Sequence, residues 1–227
     1  MMFVDELQYV EKEELAALIT ALHRAPQRRL PVVLVGAGLP QLRERMGRAK
    51  SYAKTGFDFP EIGPLLLVAA RTAITKPAAA EGVEIDDDAL ELIVPKTHGY
   101  PYFLKEWGKH AWDTASKSPI TIRDVELASA SAIAAHDESF FRVRFDGLTH
   151  LEKRYLRAMA ELGAGPHRSG DIAEQLKREV TALGPTRNQL IGKGMIWPPS
   201  HWDTALTVPL FNKFMHRIMP GEDWRTT

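Results

Sequence analysis

The pattern of apolar and polar positions divides the chain into segments of different period. Met1-Met2-Phe3-Val4 is an unbroken apolar run closed by Asp5-Glu6, the pattern of a buried parallel strand that ends at a polar edge. Leu15, Leu18, Ile19 and Leu22 then recur at helical spacing behind Glu11, Glu13 and Glu14, which favour a helix N-terminus, and Pro26 marks the helix end. Residues 30–35 form a second all-apolar strand, followed by the glycine turn Gly36-Ala37-Gly38-Leu39-Pro40. Strand, helix, strand predicts a right-handed parallel crossover. Two strands are too few to cover a parallel sheet, so the chain reads as cut at its N-terminus.

Beyond the turn, residues 43–57 are basic (Arg43, Arg45, Arg48, Lys50, Lys54) and predict the end of a helix running into a mobile loop, with a short extended piece at 57–60. From Leu65 the pattern predicts four helices. The first runs to about residue 80 and is interrupted near Pro77; the second opens at Asp86-Asp87-Asp88 and carries Leu90, Ile93 and Val94. The third begins near Tyr100 with Phe103, Leu104, Trp107 and Ala111, and the fourth spans about 123–145. After Asp146-Gly147, Thr149 and Glu152 form a capping box for a helix that buries Leu151, Tyr155, Met159 and Leu162. Ser169 is expected to cap a second helix holding Ile172 and Leu176, and Gly184-Pro185 to open a third. Residues 196–199 and 205–208 predict a hairpin, and Phe211, Phe214, Met215 and Ile218 a closing amphipathic helix. Three helices and a hairpin make a winged helix-turn-helix.

Composition narrows this picture. With 227 residues, 44% hydrophobic and 26% charged, the chain is an ordinary globular protein of more than one compact unit. No apolar run approaches the roughly 20 residues that span a bilayer, and the start lacks signal-peptide character, so no membrane association and a cytoplasmic location are expected. Zero cysteines exclude disulfides, thiolate metal sites and a cysteine nucleophile. The scattered histidines do not suggest zinc, and no Gly-x-Ser-x-Gly elbow suggests a serine hydrolase. Formal charge is zero, but residues 148–218 hold 10 Lys+Arg against 6 Asp+Glu, a net of +4, while residues 1–147 hold 18 against 21, a net of −3. That asymmetry permits a nucleic-acid-facing C-terminal unit.

The candidate chemistry begins at Phe3-Val4-Asp5-Glu6. A strand ending in adjacent carboxylates places the first where it can hold Mg²⁺ through water and the second where it can orient an attacking water, which is the Walker B arrangement. With Phe3-Val4-Asp5-Glu6-Leu7-Gln8, Pro31-Val32-Val33-Leu34-Val35-Gly36-Ala37-Gly38-Leu39-Pro40 and Gly99-Tyr100-Pro101-Tyr102-Phe103-Leu104, nearly the whole chain resembles bacterial AAA+ ATPases of the origin-recognition and STAND-like branch. The resemblance implies ATP and Mg²⁺ as cofactors and hydrolytic roles for Asp5 and Glu6, with Asp5 on the metal. It also implies nucleotide contacts at the Gly36 turn and at Gly99, Tyr100 and Pro101, a motif on the lid.

Three features depart from that branch. The 227 residues contain no Gly-x-x-x-x-Gly-Lys-Ser/Thr run to cradle the β- and γ-phosphates, so autonomous ATP hydrolysis is not expected. The second strand leads into glycine where a polar sensor residue is usual. No arginine lies in residues 53–57, leaving Arg45 or Arg48 to reach a neighbouring nucleotide. In the C-terminal unit, a third helix starting at Pro185 would put Arg187, Asn188 and Gln189 in its first turns, where side chains reach base edges, with Arg168 and Lys193 on phosphates. Packing on the ATPase core or on a protein partner, self-association included, is the alternative use of such a unit.

The expected fold is therefore α/β with a partial parallel-sheet P-loop NTPase core, an α-helical lid and a C-terminal winged helix, mainly α overall. The divisions are 1–60, 61–146 and 147–219, with a tail at 220–227. The expected function is an ATP-binding fragment that couples nucleotide state to DNA or another partner; a non-catalytic DNA-binding or regulatory module is the alternative.

Overall fold

A computed structural model describes residues 1–200 and 202–225; residues 226 and 227 of the expected tail lie outside the described residues. Strand β1 (Met2–Val4) pairs in parallel with β2 (Leu34–Gly36), with Met2 opposite Leu34, Phe3 opposite Val35 and Val4 opposite Gly36. Helix α1 (Lys12–Gln27) connects them and ends one residue beyond Pro26. Strand β2 begins later than its apolar run suggested. Pro31 has no N–H to give a ladder, and the Val32 N–H is turned inward to the Leu30 carbonyl at 2.9 Å.

The expectation of a buried first strand is corrected. Phe3 is 75% exposed, and Met2, Val33 and Val35 are exposed with it, because among the described residues no further strand or helix covers that side of the sheet. The burial in this region lies elsewhere, between Leu7, Leu15, Ile19, Leu42, Met46 and Ala53. Here α1 packs on α2 (Leu42–Ala49), which in turn packs on the single turn α3 (Ala53–Gly56). The basic stretch begins in a helix end as expected, but the loop expected after it contains a further helical turn, in which Ala53 is buried and its N–H bonds to the Lys50 carbonyl at 3.0 Å.

The next region packs α4 (Leu67–Ala80), α5 (Asp87–Thr97), α6 (Pro101–Thr114) and α7 (Ile122–His136) around Ile74, Leu90, Ile93, Leu104, Trp107 and Val125. The expected interruption at Pro77 does not occur. That residue sits in the last turn of α4 with its ring exposed, and alanines after it sustain the helix. Thr121 and Asp124 form a reciprocal capping box that fixes the start of α7. A π-helical segment, Asp137–Phe141, then carries the chain into α8 (Arg142–Asp146). It is held to the last helix by a two-pronged ion pair, with Arg217 donating to Asp137 at 2.6 and 2.5 Å.

The last region holds the largest core. Thr149 caps α9 (His150–Leu162) with Glu152 as its reciprocal partner. Strand β3 (His167–Arg168) leads directly into α10 (Ser169–Leu176), which is followed by α11 (Val180–Gly192), β4 (Ile196–Trp197), β5 (Asp203–Leu206) and α12 (Phe211–Ile218). The three strands form an antiparallel sheet in the order β3-β5-β4, with Ile196 opposite Leu206 and Arg168 opposite Asp203.

Two expectations are corrected here. Ser169 lies inside α10 and not at its cap, because its N–H and hydroxyl both go to the Trp202 carbonyl, at 3.0 and 3.2 Å, joining helix to sheet. Helix α11 starts at Val180, so Pro185 falls in its second turn, where the ring removes one backbone bond while buried Leu183, Thr186 and Leu190 hold the helix in place. Phe103, Phe141 and Phe145, from the preceding region, share this core with Tyr155, Met159, Phe211 and Phe214, so the two helical regions are fused by aromatic packing.

Candidate functional site

The turn after β1 is built by backbone and one glutamine. The Ala37 N–H donates to the Val4 carbonyl at 2.9 Å and the Leu7 N–H to the Ala37 carbonyl at 3.1 Å, which lays the turn along the loop that follows β2. Asp5 Oδ1 accepts the Glu6 N–H at 2.8 Å, and Glu6 takes a left-handed conformation with φ 57°, uncommon for a glutamate. Both carboxylates face solvent. Gln8, 3% exposed, holds the second of them: its amide N–H donates to Glu6 Oε2 and its Oε1 accepts the Leu39 N–H at 3.1 Å. The structure therefore brings Asp5, Glu6 and Gly36 together, with one carboxylate oriented and the other at the turn's tip.

Gly99, Tyr100 and Pro101 lie in the helical region. Gly99 has φ +67°, its carbonyl accepts the Leu65 N–H at 2.9 Å, and a Cβ there would run into the Leu65 carbonyl, so the position requires glycine. Tyr100 is the N-cap of α6 and packs at a tilt on Phe103, 4.9 Å between centroids; Pro101 occupies the first turn, where its missing N–H is harmless. Among the described residues, no hydrogen bond, ion pair or ring contact joins these three to Asp5 or Glu6.

The basic residues of the last region divide in two. Because α11 begins at Val180, Arg187 lies in its middle, where its Nε donates to Thr204 Oγ1 at 2.9 Å and its Nη2 to the Asp203 carbonyl at 3.1 Å. That guanidinium fixes the sheet to the helix. Lys193, just past the helix end, reaches the Gly147 carbonyl at 3.0 Å and Glu152 at 2.7 Å. Among the described residues, no side-chain hydrogen bond or ion pair anchors Arg168, Asn188 or Gln189, and all three are exposed.

Burial works to raise the Glu152 carboxyl, but the Lys193 ammonium and the hydrogen bonds from Thr149 outweigh it and hold the carboxyl below its ordinary value. Burial raises the Tyr155 hydroxyl against the opposing hydrogen bond with Thr204 and the charge of Arg187. His136, enclosed by Phe103 and Trp107 at ring distances of 4.7 and 5.0 Å, is lowered by burial, with Glu106 opposing. At the end of α5, His98 is exposed, and partial desolvation together with the charge of Lys213 lowers it.

Two residues that the sequence did not assign stand out. Gln8 was visible as part of the Phe3 to Gln8 motif, yet a glutamine after an acidic pair carries no signal of its own; the fold gives it a role by placing Leu39 across from it. Trp202, 70% exposed in the turn between β4 and β5, belongs to a segment whose pattern predicted only strand and turn.

A family model described as a domain of unknown function (DUF8462) matches residues 138–215, well under half of the chain. A search of curated proteins returned no match. Among solved structures, the chain is similar to a point mutant of Thermotoga maritima RuvB, with a TM-score of 0.51 and 20% identity over 89% of this chain and 66% of that one. A second point mutant of the same protein gives 0.51, and the structure titled as the RuvB Holliday junction branch migration motor gives 0.50, both at 20% identity over 89% of this chain and 65% of that one. The chain thus spans just under two thirds of the length of these structures. At this identity the likeness shows the fold alone: a mainly helical architecture with small sheets, similar to that of the Thermotoga protein. No helix is long and apolar enough to cross a membrane.

Proposed function

We propose that the chain is the nucleotide-responsive part of an AAA+ ATPase of the origin-recognition and STAND-like branch, coupling nucleotide state to a partner or to DNA. In this reading residues 1–60 belong to the ATPase core, 61–146 form the lid and 147–219 a winged helix. The observation that carries it is the parallel register of β1 and β2, which sets Asp5-Glu6 against the glycine loop and leaves Gln8 holding Glu6. The residues present suit half of a Mg²⁺-nucleotide site. Asp5, at the tip, can hold the metal through water, and the oriented Glu6 carboxylate can take a proton from, and aim, an attacking water. When bound, Mg²⁺ neutralises phosphate charge. No Gly-x-x-x-x-Gly-Lys-Ser/Thr run, which would cradle the phosphates, occurs in these 227 residues. Gly36, Gly99, Tyr100 and Pro101 complete the nucleotide surface once the lid closes on the core, and Arg45 or Arg48 is left to serve a neighbouring copy's nucleotide.

The test is binding of a fluorescent ATP analogue with Mg²⁺ by this chain and by the chain joined to whatever its gene encodes upstream. The extended form should bind, and Asp5→Ala should weaken binding by at least about tenfold, the scale of one lost charge-assisted contact. An extended form that does not bind the analogue defeats the ATPase reading.

A second reading, a nucleic-acid-binding or regulatory module without catalysis, is favoured by a separate observation. Gln189 is exposed on α11 beside Asn188, Arg168 is exposed on β3, and Trp202 is exposed at the hairpin turn, in a unit of net charge +4. RuvB from Thermotoga is a Holliday junction branch migration motor; the reading here rests on the residues. With Arg187 and Lys193 engaged inside the fold, Asn188, Gln189 and Arg168 are left for bases and phosphates, and Arg187 and Lys193 contribute mainly by placing the helix. Mobility shifts at several salt concentrations decide it: Asn188→Ala/Gln189→Ala and Arg168→Ala should each weaken retardation, and retardation equal to the parent in both counts against DNA contact.

A further inference from the structure

The acidic turn and helix α11 meet at one place in the fold. Gln8 links Glu6 to the Leu39 N–H, and the Leu39 side chain lies over Gly194, two residues past the end of α11. Gly194 has φ +69°, and a Cβ built on it would stand 2.5 Å from Leu39 Cδ1, so the leucine methyl occupies the notch that a missing side chain leaves. Two residues on, Gln41 Nε2 donates to the Ile191 carbonyl at 3.3 Å, a group that already accepts the Gly194 N–H at 3.0 Å. Between these contacts Lys193 ties the helix end to Gly147 and Glu152, at the start of α9. A run of direct contacts thus leads from the Glu6 carboxylate to the helix that carries Arg187, Asn188 and Gln189.

We propose that the Leu39–Gly194 contact is a joint through which the acidic turn sets the position of α11, with Gln8 as the positioning residue that transmits the state of Glu6. A side chain seated in a notch has two discrete arrangements, in and out, which is the bistable element that coupling between sites needs. A ligand that takes the Glu6 carboxylate away from Gln8 frees the glutamine, releases the Leu39 backbone from its fixed place and unseats the leucine. The helix end then loses its stop against the core. The Mg²⁺-nucleotide reading supplies what drives the joint, whereas the joint itself is a property of the fold and is tested without nucleotide.

Amide hydrogen exchange on the whole chain reads it. The reporters are the amides of Lys193, Gly194 and Met195, which donate to Gln189, Ile191 and Leu190 at 2.9, 3.0 and 3.0 Å. Gln8→Ala and Leu39→Ala are each expected to speed exchange at these amides by about tenfold while α4 and α10 keep their rates. The double variant should be no faster than Leu39→Ala, because both changes break one link. Gln41→Ala, at a partly exposed position, should give a smaller increase at the same amides, and it stands in should Gln8→Ala fail to fold.

The proposal is overturned by a folded Gln8→Ala that leaves the reporters at parental rates, by full additivity in the double variant, or by a Gln41→Ala without effect. The ATPase reading is tested separately, by ATP-analogue binding to the extended parent chain, so failure of one reading is distinguishable from failure of the other. A chain that binds no nucleotide can still show the coupling.

Discussion

The sheet region at the start of the chain and the helical region at its end handle their apolar residues in opposite ways. Between Met2 and Gly36 the strand side chains largely face water, and the burial that exists belongs to α1, α2 and Leu7. In the last region Tyr155, Phe211, Phe214 and Met215 are sealed, and even Glu152, Arg157 and Thr204 lie inside. The difference separates holding from exposing. The C-terminal core, joined to the preceding helices through Phe103 and Phe141, holds the fold together, while the N-terminal turn carries its two carboxylates on a thin support where small changes in partner can move it.

The contrast breaks first in the core. Phe211→Ala should cost about 3–5 kcal/mol, the usual range for emptying a sealed aromatic site, and denaturant titration should show a lower midpoint at unchanged slope. A loss under about 1 kcal/mol would mean that the last region is not the stabilising one. Glu152→Gln comes next. It removes the charge that Lys193 faces and weakens the bond to the Thr149 N–H, and about 1–3 kcal/mol of stability should go with it.

The same carboxylate makes the contrast pH-dependent. Its folded pKa lies below the ordinary value of 4.5, so its contribution is complete above that value and is lost as the pH falls through the lowered folded one. Glu152→Gln should flatten this acid limb of the stability profile; an unchanged limb would assign it to other carboxylates. His136 acts in a higher window. Burial lowers its pKa from 6.5, so the neutral ring's contribution is present above that value and fades as the pH drops toward the folded one, and His136→Leu should remove that portion of the profile. The smallest effect belongs to the sheet: Phe3→Ser should change stability by no more than about 0.5 kcal/mol, and a larger loss would show that the outward face is covered in solution.

How far the sequence reached depended on whether the signal was local. The capping box at Thr149 and Glu152, the start of α6 near Tyr100, the hairpin and the amphipathic closing helix were legible because each depends on residues within a turn or two of one another. The start of α11 was missed because a proline inside a helix and a proline opening one look alike until tertiary packing of Leu183 and Leu190 decides between them. Strand β3 was missed because two residues carry no periodicity; its pairing with β5 makes it a strand. In the candidate site, Asp5 and Glu6 were proposed from an apolar run ending in charge and Gly36 from the family resemblance, whereas Gln8, Leu39 and Gly194 acquire meaning across 31 and 155 positions of separation.

The sequence by itself determined the longer helices, the acidic pair after the first apolar run and the basic excess of the last unit, since spacing, charge and turn chemistry are properties of neighbours along the chain. Tertiary structure alone decided which side chains were available for chemistry. Arg187 and Lys193 read as surface cations until Thr204, the Asp203 carbonyl and Glu152 were brought beside them, because a guanidinium or ammonium takes whatever acceptor the packing presents before it can meet a ligand.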